Sequence, residues 1–356
     1  MSLAITVLPA SHGDSILIRA GLDKHDPFRI LIDGGPAACY QRAQGFKQIF
    51  GPLHSVLRAL SSQSKALDLV VLTHVDSDHI GGLLKACESN SVLPVFGKNV
   101  WFNSGRVIAQ QLGDGVEPDE SALIVQRGSS DRLTSITQGV AFDDLLDQAG
   151  VGPRTLKVAG QTIEFRHGEI QILSPDEDQL RALLEKWEKE RPDSLTSAHS
   201  NDYKLSLDDL LQRDEFEEDT AVHNASSIAF LISSGDAKAL FLGDAFPSTV
   251  CASLRKLGYS EQNPLRVGAC KVSHHGSKGN TSPELLSLIR SDRFIVSTDG
   301  SRHGLPNKVT FARIMNLAPH SKILFNYPEL KTLIFNRDEL AHAGEKLADI
   351  EGDIVL

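Results

Sequence analysis

Cysteine is scarce and scattered: Cys39, Cys87, Cys251 and Cys270 lie far apart with no C-x-x-C pair among them. This excludes a zinc ribbon and a dense disulfide framework, and buried, reduced thiols are expected instead. Long apolar runs are missing as well. No stretch reaches the roughly 18 consecutive apolar residues of a membrane-spanning helix. Residues 1–13 carry no positive charge ahead of an apolar run and read as a first strand rather than a leader. A cytoplasmic location without membrane association is the resulting expectation. Lys- or Arg-rich runs are also lacking. With 36 basic residues against 46 acidic ones the formal net charge is −10, which argues against bulk charge as the means of holding nucleic acid or anionic lipid. No internal repeat is evident.

What is present is an ordinary globular mix, 356 residues with 41% hydrophobic and 23% charged content, enough to bury a sizeable core. The expectation is one large α/β domain over residues 1–356 with two insertions. The first, residues 105–152, is weakly patterned and helical, with helices at 121–126 and 140–148. The second, residues 176–220, is acidic: fifteen acidic and six basic residues give it a net charge of −9. It reads as a helix over 177–190 followed by a mobile loop over 192–220 with a short helix at 207–211. The body of the protein is therefore nearly neutral.

Short β-branched runs separated by Gly or Asp predict strands at 3–8, 15–19 and 28–32. A helix is expected over 44–60, then a strand buried on both faces at 67–72. Further strands are predicted at 155–158, 162–165, 169–173, 227–232, 239–242, 266–272, 294–297 and 322–325, with helices at 247–257, 283–289 and 308–316. Two sheets between outer helices is the architecture this order suggests.

The chemistry concentrates where the 67–72 strand ends. Thr73-His74-Val75-Asp76-Ser77-Asp78-His79-Ile80-Gly81-Gly82 sets two imidazoles and two carboxylates within six residues. In an extended loop His74 and Asp76 share a side, since side chains alternate with period two, and Asp78 and His79 can face a second position. Mixed nitrogen and oxygen ligands suit zinc, manganese or iron better than calcium. Two more strand ends add to the set: Asp244 follows Phe241-Leu242-Gly243, and His274-His275 follows Cys270-Lys271-Val272-Ser273. Polar residues converging from several strand ends mark the usual site of an open α/β sheet, and together these point to a centre for two divalent metal ions.

These residues resemble the metallo-β-lactamase superfamily, whose signature has the form H-x-[HD]-x-D-H followed by a later His, an Asp after a strand and a final His. His74, Asp76, Asp78, His79, Asp244 and one of His274 or His275 match in order, and Asp33 in Leu31-Ile32-Asp33-Gly34-Gly35 matches the early structural aspartate. The resemblance spans about residues 3–335 and implies a four-layer αββα fold. Within the superfamily the chain is most similar to the nuclease-like domain of the competence DNA-uptake protein ComEC and its stand-alone relatives. The residues that carry this are His12-Gly13-Asp14-Ser15, Asp rather than His at position 76, Asn224-Ala225-Ser226-Ser227 and His274-His275-Gly276-Ser277. Two departures stand out: His12 occupies a usual Gln position, and the branch's G-H-P falls on Gly304-Leu305-Pro306, with the nearest histidine at His303. His223 aligns with the superfamily's third-motif histidine, where the branch commonly offers the asparagine that here is Asn224.

The resemblance implies a metal-dependent hydrolase, with two Zn or Mn ions producing hydroxide at neutral pH. Asp244 would bridge the ions. Asp78, His79 and one of His274 or His275 would hold one, and His74, Asp76 and His223 the other, while His275 and His303, with Lys278 or Ser277, would serve the leaving oxygen. The substrate implied is a phosphodiester in nucleic acid or a nucleotide. A small ester, thioester or lactone is the alternative. A binding or regulatory protein that docks a partner through the acidic insertion is the third.

Overall fold

The computed structural model describes residues 2–22, 24–89, 93–113, 135–152, 154–187 and 201–356. The first three apolar runs form β1 (Leu3–Val7), β2 (Ile16–Ala20) and β3 (Phe28–Ile32), an antiparallel meander. Where a helix over 44–60 is expected the chain instead makes a short helix α1 (Ala37–Tyr40) and a hairpin of β4 (Gln41–Gln44) and β5 (Lys47–Phe50), and only then α2 (Pro52–Ser62). Two residues explain the difference. Gly45 takes φ +60° at the hairpin turn, a conformation open to glycine, and Pro52 stands at the first helical position, where its missing N–H costs nothing.

Then come β6 (Leu69–Val71), α3 (Ser77–Cys87), β7 (Val100–Trp101), α4 (Gly105–Leu112), α5 (Ser135–Gln148), β8 (Thr162–Phe165) and β9 (Gly168–Ser174). The expected helix over 121–126 lies outside the described residues. Residues 155–158 are extended but form no strand: their amides are taken by side chains, Leu156 by Gln111 Oε1 at 3.1 Å and Lys157 by Asn103 Oδ1 at 2.9 Å. The second half runs through α6 (Glu177–Trp187), α7 (Leu207–Gln212), α8 (Val222–Ala225), β10 (Ala229–Ser234), β11 (Ala237–Phe241) and α9 (Pro247–Lys256). The run 266–272 divides at Gly268 into β12 (Leu265–Val267), which pairs with β14 (Ile289–Ser291), and β13 (Ala269–Lys271), which enters the main sheet. It continues with α10 (Pro283–Leu288), β15 (Arg293–Val296), α11 (Lys308–Leu317), β16 (Lys322–Phe325), α12 (Glu329–Ile334), α13 (Arg337–Ala343), β17 (Leu347–Asp349) and β18 (Ile354–Val355).

Two sheets face each other. One has six strands in the order β18-β1-β2-β3-β6-β7, the other eight in the order β17-β16-β15-β13-β11-β10-β9-β8. Leu3, Ile5, Ile30 and Val71 from the first meet Ile172, Phe230, Phe241 and Ile295 from the second between them. Alternate residues point outward. Leu31 and Val70 pack under α2 to α6, and Leu240, Cys270 and Phe294 under α9 to α12. This is the expected αββα arrangement, each fully buried aliphatic side chain contributing about 1.5–3 kcal/mol relative to exposure. All four cysteines are buried and free. Among the described residues no helix is long and apolar enough to cross a membrane.

The described parts of both insertions belong to the packing. In the first, α4 and α5 bury Ile108, Ile136, Val140 and Phe142; in the second, α6 buries Leu180, Leu183 and Trp187. Residues 201–220 are bonded through their acidic side chains. Asp202 accepts from the Lys308 and Val309 amides at 2.7 and 2.9 Å and so caps α11. Asp214 accepts from Arg313 Nε and Nη2, at 2.6 and 2.5 Å, and Glu218 takes the Ser248 amide and hydroxyl at the start of α9. Asp202, Asp214 and Glu218 thus serve two helix starts and one buried cation, where a solvated, mobile loop is the expectation from composition.

Candidate metal centre

Parallel strands deliver the site. Asp33 follows β3, the Thr73–Asp76 loop joins β6 to α3 with Asp78 and His79 at the start of that helix, Asp244 follows β11, His274 and His275 follow β13, and Ser297 follows β15. All lie at carboxyl ends of strands, where neighbouring chains diverge and leave a crevice. The glycines of the signature let these loops meet. A Cβ on Gly82 would lie 2.0 Å from the Gly34 carbonyl oxygen, and one on Gly243, at φ +50°, would lie 2.5 Å from Ser227 Oγ. His274 and His275 both sit in the left-handed region, at φ 45° and 52°. Such backbone costs of order 1–3 kcal/mol per non-glycine residue and is typical of sites whose surroundings impose it.

The Asp244 carboxylate is the hub. Its Oδ2 lies 3.7 Å from His74 Nε2, 3.5 Å from His79 Nε2 and 3.7 Å from His274 Nε2. Asp76 Oδ2 is 3.6 Å from His74 Nε2, and Asp78 Oδ2 is 3.3 Å from His275 Nε2. These spacings exceed an ordinary hydrogen bond. They match two ligands of one ion: donors about 2.1 Å from a tetrahedral centre stand about 3.4 Å apart.

Every one of these four imidazoles is anchored through Nδ1. Asp33 Oδ2 takes His79 Nδ1 at 2.8 Å. Thr73 Oγ1, which itself donates to Asp33, lies 3.1 Å from His74 Nδ1. Asn280 Oδ1 is 3.0 Å from His274 Nδ1, and the Ser297 carbonyl is 2.9 Å from His275 Nδ1. A proton on Nδ1 in each ring leaves Nε2 as the free lone pair. His74, His79 and His275 Nε2 and Asp244 Oδ1 are all buried without a hydrogen-bond partner, a costly arrangement unless something else satisfies them.

A family model described as the metallo-beta-lactamase superfamily matches residues 8–160 and 162–300. The chain belongs to that superfamily. No curated protein matches it in sequence. Solved structures similar to it include the metallo-β-lactamase fold protein YhfI from Bacillus subtilis, at 13% identity and TM-score 0.38 over 100% of this chain and 98% of that one. Zn2+-bound PqqB from Methylobacterium extorquens is similar at 10% identity and TM-score 0.42, with 99% of each chain covered. Isothiocyanate hydrolase from Delia radicum gut bacteria is similar at 13% identity and TM-score 0.40, over 100% and 98%.

Among the described residues three groups could hold a metal ion in this superfamily member, His74–His79–Asp244, Asp78–His79–His275 and Asp14–Asp33–His79, and the first two use the free Nε2 atoms. The residues therefore fit divalent ions, and the charge balance agrees. Burial opposes ionisation of Asp244, yet the surrounding imidazoles of His79 and His274 hold its carboxyl well below the usual range. Asp78 behaves alike and falls to about 2. Burial disfavours a charged His79, but Asp244, Asp33 and Asp78 drive its pKa well above the usual value, and Asp14 and Asp78 take His275 up to about 9. The carboxylates thus make a buried cup that demands positive charge.

The structure places the remaining expected site residues in different surroundings. Of the two histidines after β13, His275 joins Asp78 and His79, and His274 faces Asp244. His223 meets Asp76 through Nδ1 at 2.9 Å, while the neighbouring Asn224 donates to Asp219 at 2.7 Å. His303 is exposed, in the left-handed region at φ 57°, and has no hydrogen bond or ion pair among the described residues. His12 is nearer: half-buried, it feels the charges of Asp78, Arg302, Asp299 and His275.

Three supporting groups were not legible as site residues. Asp14 and Lys271 form a fully buried ion pair, and Asp14 Oδ1 stands 3.5 Å from His275 Nδ1. Asp219, from the acidic segment, accepts from Asn224, Asn280 and the Ala221 amide and lies 3.4 Å from His274 Nδ1. The pairing of Lys271 with a position 257 residues earlier in the chain has no local signal.

Proposed function

We propose that the protein is a metal-dependent hydrolase of phosphodiesters, with Zn or Mn held by His74, Asp76, Asp78, His79, Asp244 and the His274–His275 pair. One observation carries the reading: four imidazoles with Nδ1 anchored and Nε2 turned toward three carboxylates at metal-ligand spacing. The ions, when bound, supply Lewis acidity that ionises water near neutral pH and offsets charge developing on the scissile group. The chain's own part is preorganisation. Asp33 fixes the His79 ring and the Thr73 backbone together, and Asn280 and Ser297 fix His274 and His275. His223 orients Asp76. Burial holds the half-buried His12 imidazole below its ordinary pKa and so neutral, which leaves His303 and the Gly276 to Lys278 turn to serve the departing oxygen in this reading.

The carboxylate share of the ligand set supports a phosphodiester over a thioester, since three aspartates make the centre hard and receptive to manganese. The ComEC-like motifs support the same substrate class. Protein purified without chelator is expected to hydrolyse bis-p-nitrophenyl phosphate with added Mn or Zn, and the Asp78→Ala/His79→Ala double variant to lose that activity by at least about a hundredfold. Equal rates for the two proteins, or turnover of p-nitrophenyl esters with none of the diester, would overturn the reading.

A further inference from the structure

The charge of this chain has a gap in it. Residues 34–67 contain no aspartate or glutamate but carry Arg42, Lys47, Arg58 and Lys65, in a protein of net charge −10. That stretch is α1, the β4–β5 hairpin and α2. The hairpin pairs with itself in the register Gln41↔Phe50 to Gln44↔Lys47 and belongs to neither main sheet. Phe46 at its turn is fully exposed and Phe50 is half-exposed. The Phe50 ring stacks on His54 of α2 at a centroid distance of 4.0 Å and 21° between planes. Together with Arg58 they line a groove of about 410 Å³. Arg42, Lys47 and Arg58 are exposed and make no ion pair or hydrogen bond among the described residues.

We propose that this hairpin and the adjoining face of α2 bind single-stranded nucleic acid, an inference that rests on the phosphodiesterase reading and supplies the substrate-holding surface it needs. Unpaired bases present flat faces to aromatic rings while their phosphates seek cations, and proteins that grip single strands combine the two. Phe46 and the Phe50–His54 stack offer the rings; Arg42, Lys47 and Arg58 offer the cations. The rest of the hairpin is glutamine, alanine and a single isoleucine, too polar for an apolar docking face. The segment that leads into the hairpin packs on the ligand-bearing part of the fold. Ala37, which opens α1, packs against Gly81 of the ligand-bearing helix α3, and Pro36 stands beside Gly13 and the Asp78 carbonyl.

The test is fluorescence anisotropy on the metal-loaded full chain with a cleavage-resistant, labelled phosphorothioate oligothymidylate, alongside a duplex of the same length. The wild-type protein is expected to bind the single strand more tightly than the duplex. Phe46→Ala/Phe50→Ala should weaken binding by about 5- to 50-fold. Arg42→Glu/Lys47→Glu/Arg58→Glu should weaken it more and flatten the log–log salt dependence by about 2, at about 0.7 per cation for a single strand. Both variants should keep the wild-type melting temperature and the rate on bis-p-nitrophenyl phosphate. Absence of wild-type binding, unchanged binding by either variant, or loss of binding together with a dimer-to-monomer shift in sedimentation would overturn it. Hydrolysis of the small diester without oligonucleotide binding refutes this inference alone, whereas platform-dependent binding without hydrolysis refutes the phosphodiesterase reading alone.

Discussion

Asp33 stands behind His79 with its Oδ2 2.8 Å from the imidazole Nδ1, while its Oδ1 accepts the Thr73 amide at 2.7 Å. One carboxylate therefore sets the ring's tautomer and ties the ligand loop to the end of β3. Asp33→Asn places an amide donor or a weaker acceptor against that ring nitrogen. The variant is expected to keep its far-UV circular dichroism and to bind zinc about 10- to 100-fold more weakly, as read by competition with a chromogenic chelator.

Metal occupancy should register as stability. Stripping with EDTA is expected to lower the melting temperature, and re-addition of Zn or Mn at about 100 times its dissociation constant to return about 2.7 kcal/mol. Asp244→Ala, which removes the carboxylate nearest three of the imidazoles, should show no such recovery in a thermal-shift titration.

The buried pair of Lys271 and Asp14 makes a prediction about the frame rather than the ligands. Burial alone would raise the Asp14 pKa, but Lys271 and then His275 hold it well below the usual carboxylate range. Lys271→Met leaves that carboxylate buried without its nearest cation and should cost about 3–5 kcal/mol in urea denaturation. Adding Asp14→Leu to it should recover most of the loss.

Lys157 carries a pH signature remote from the ligands. Its ammonium is buried over the Trp101 ring, 5.3 Å from the centroid, and burial takes its pKa down to about 8 from an ordinary 10.5. Below pH 8 both folded and unfolded chains are protonated and the folded state bears the full burial cost. Between about pH 8 and 10.5 the unfolded chain binds more protons, so stability rises with pH across that window. Lys157→Met is expected to be more stable than wild type at pH 7, by about 1–2 kcal/mol after its lost hydrogen bonds. The difference should shrink as the pH approaches 10.5 in paired thermal melts.

How far the sequence foretold this structure depended on the range of the interactions. The buried strands and the ligand-bearing ends of β6, β11 and β13 were legible because period-two patterning and motif spacing are local. The hairpin over 41–50 was not, since Gln and Arg next to a helix look helical until Gly45 and Pro52 are weighed as a turn and a helix start. Composition misled at residues 201–220, where Asp202, Asp214 and Asp219 look solvated in sequence but cap, neutralise or hydrogen-bond groups 61 to 106 positions away. Which of His274 and His275 turns toward Asp78 is decided by two consecutive left-handed residues, a backbone state that no residue type in His274-His275 announces.

Two short strands close the sheet borders. β18 lies along β1, and β17 lies along β16 at the border of the larger sheet. Were residues 347–355 peeled away, the amide and carbonyl rows of β1 and β16 would lie bare, ready to recruit a neighbouring polypeptide. These strands thus act as clasps that keep each copy from pairing edge to edge with another.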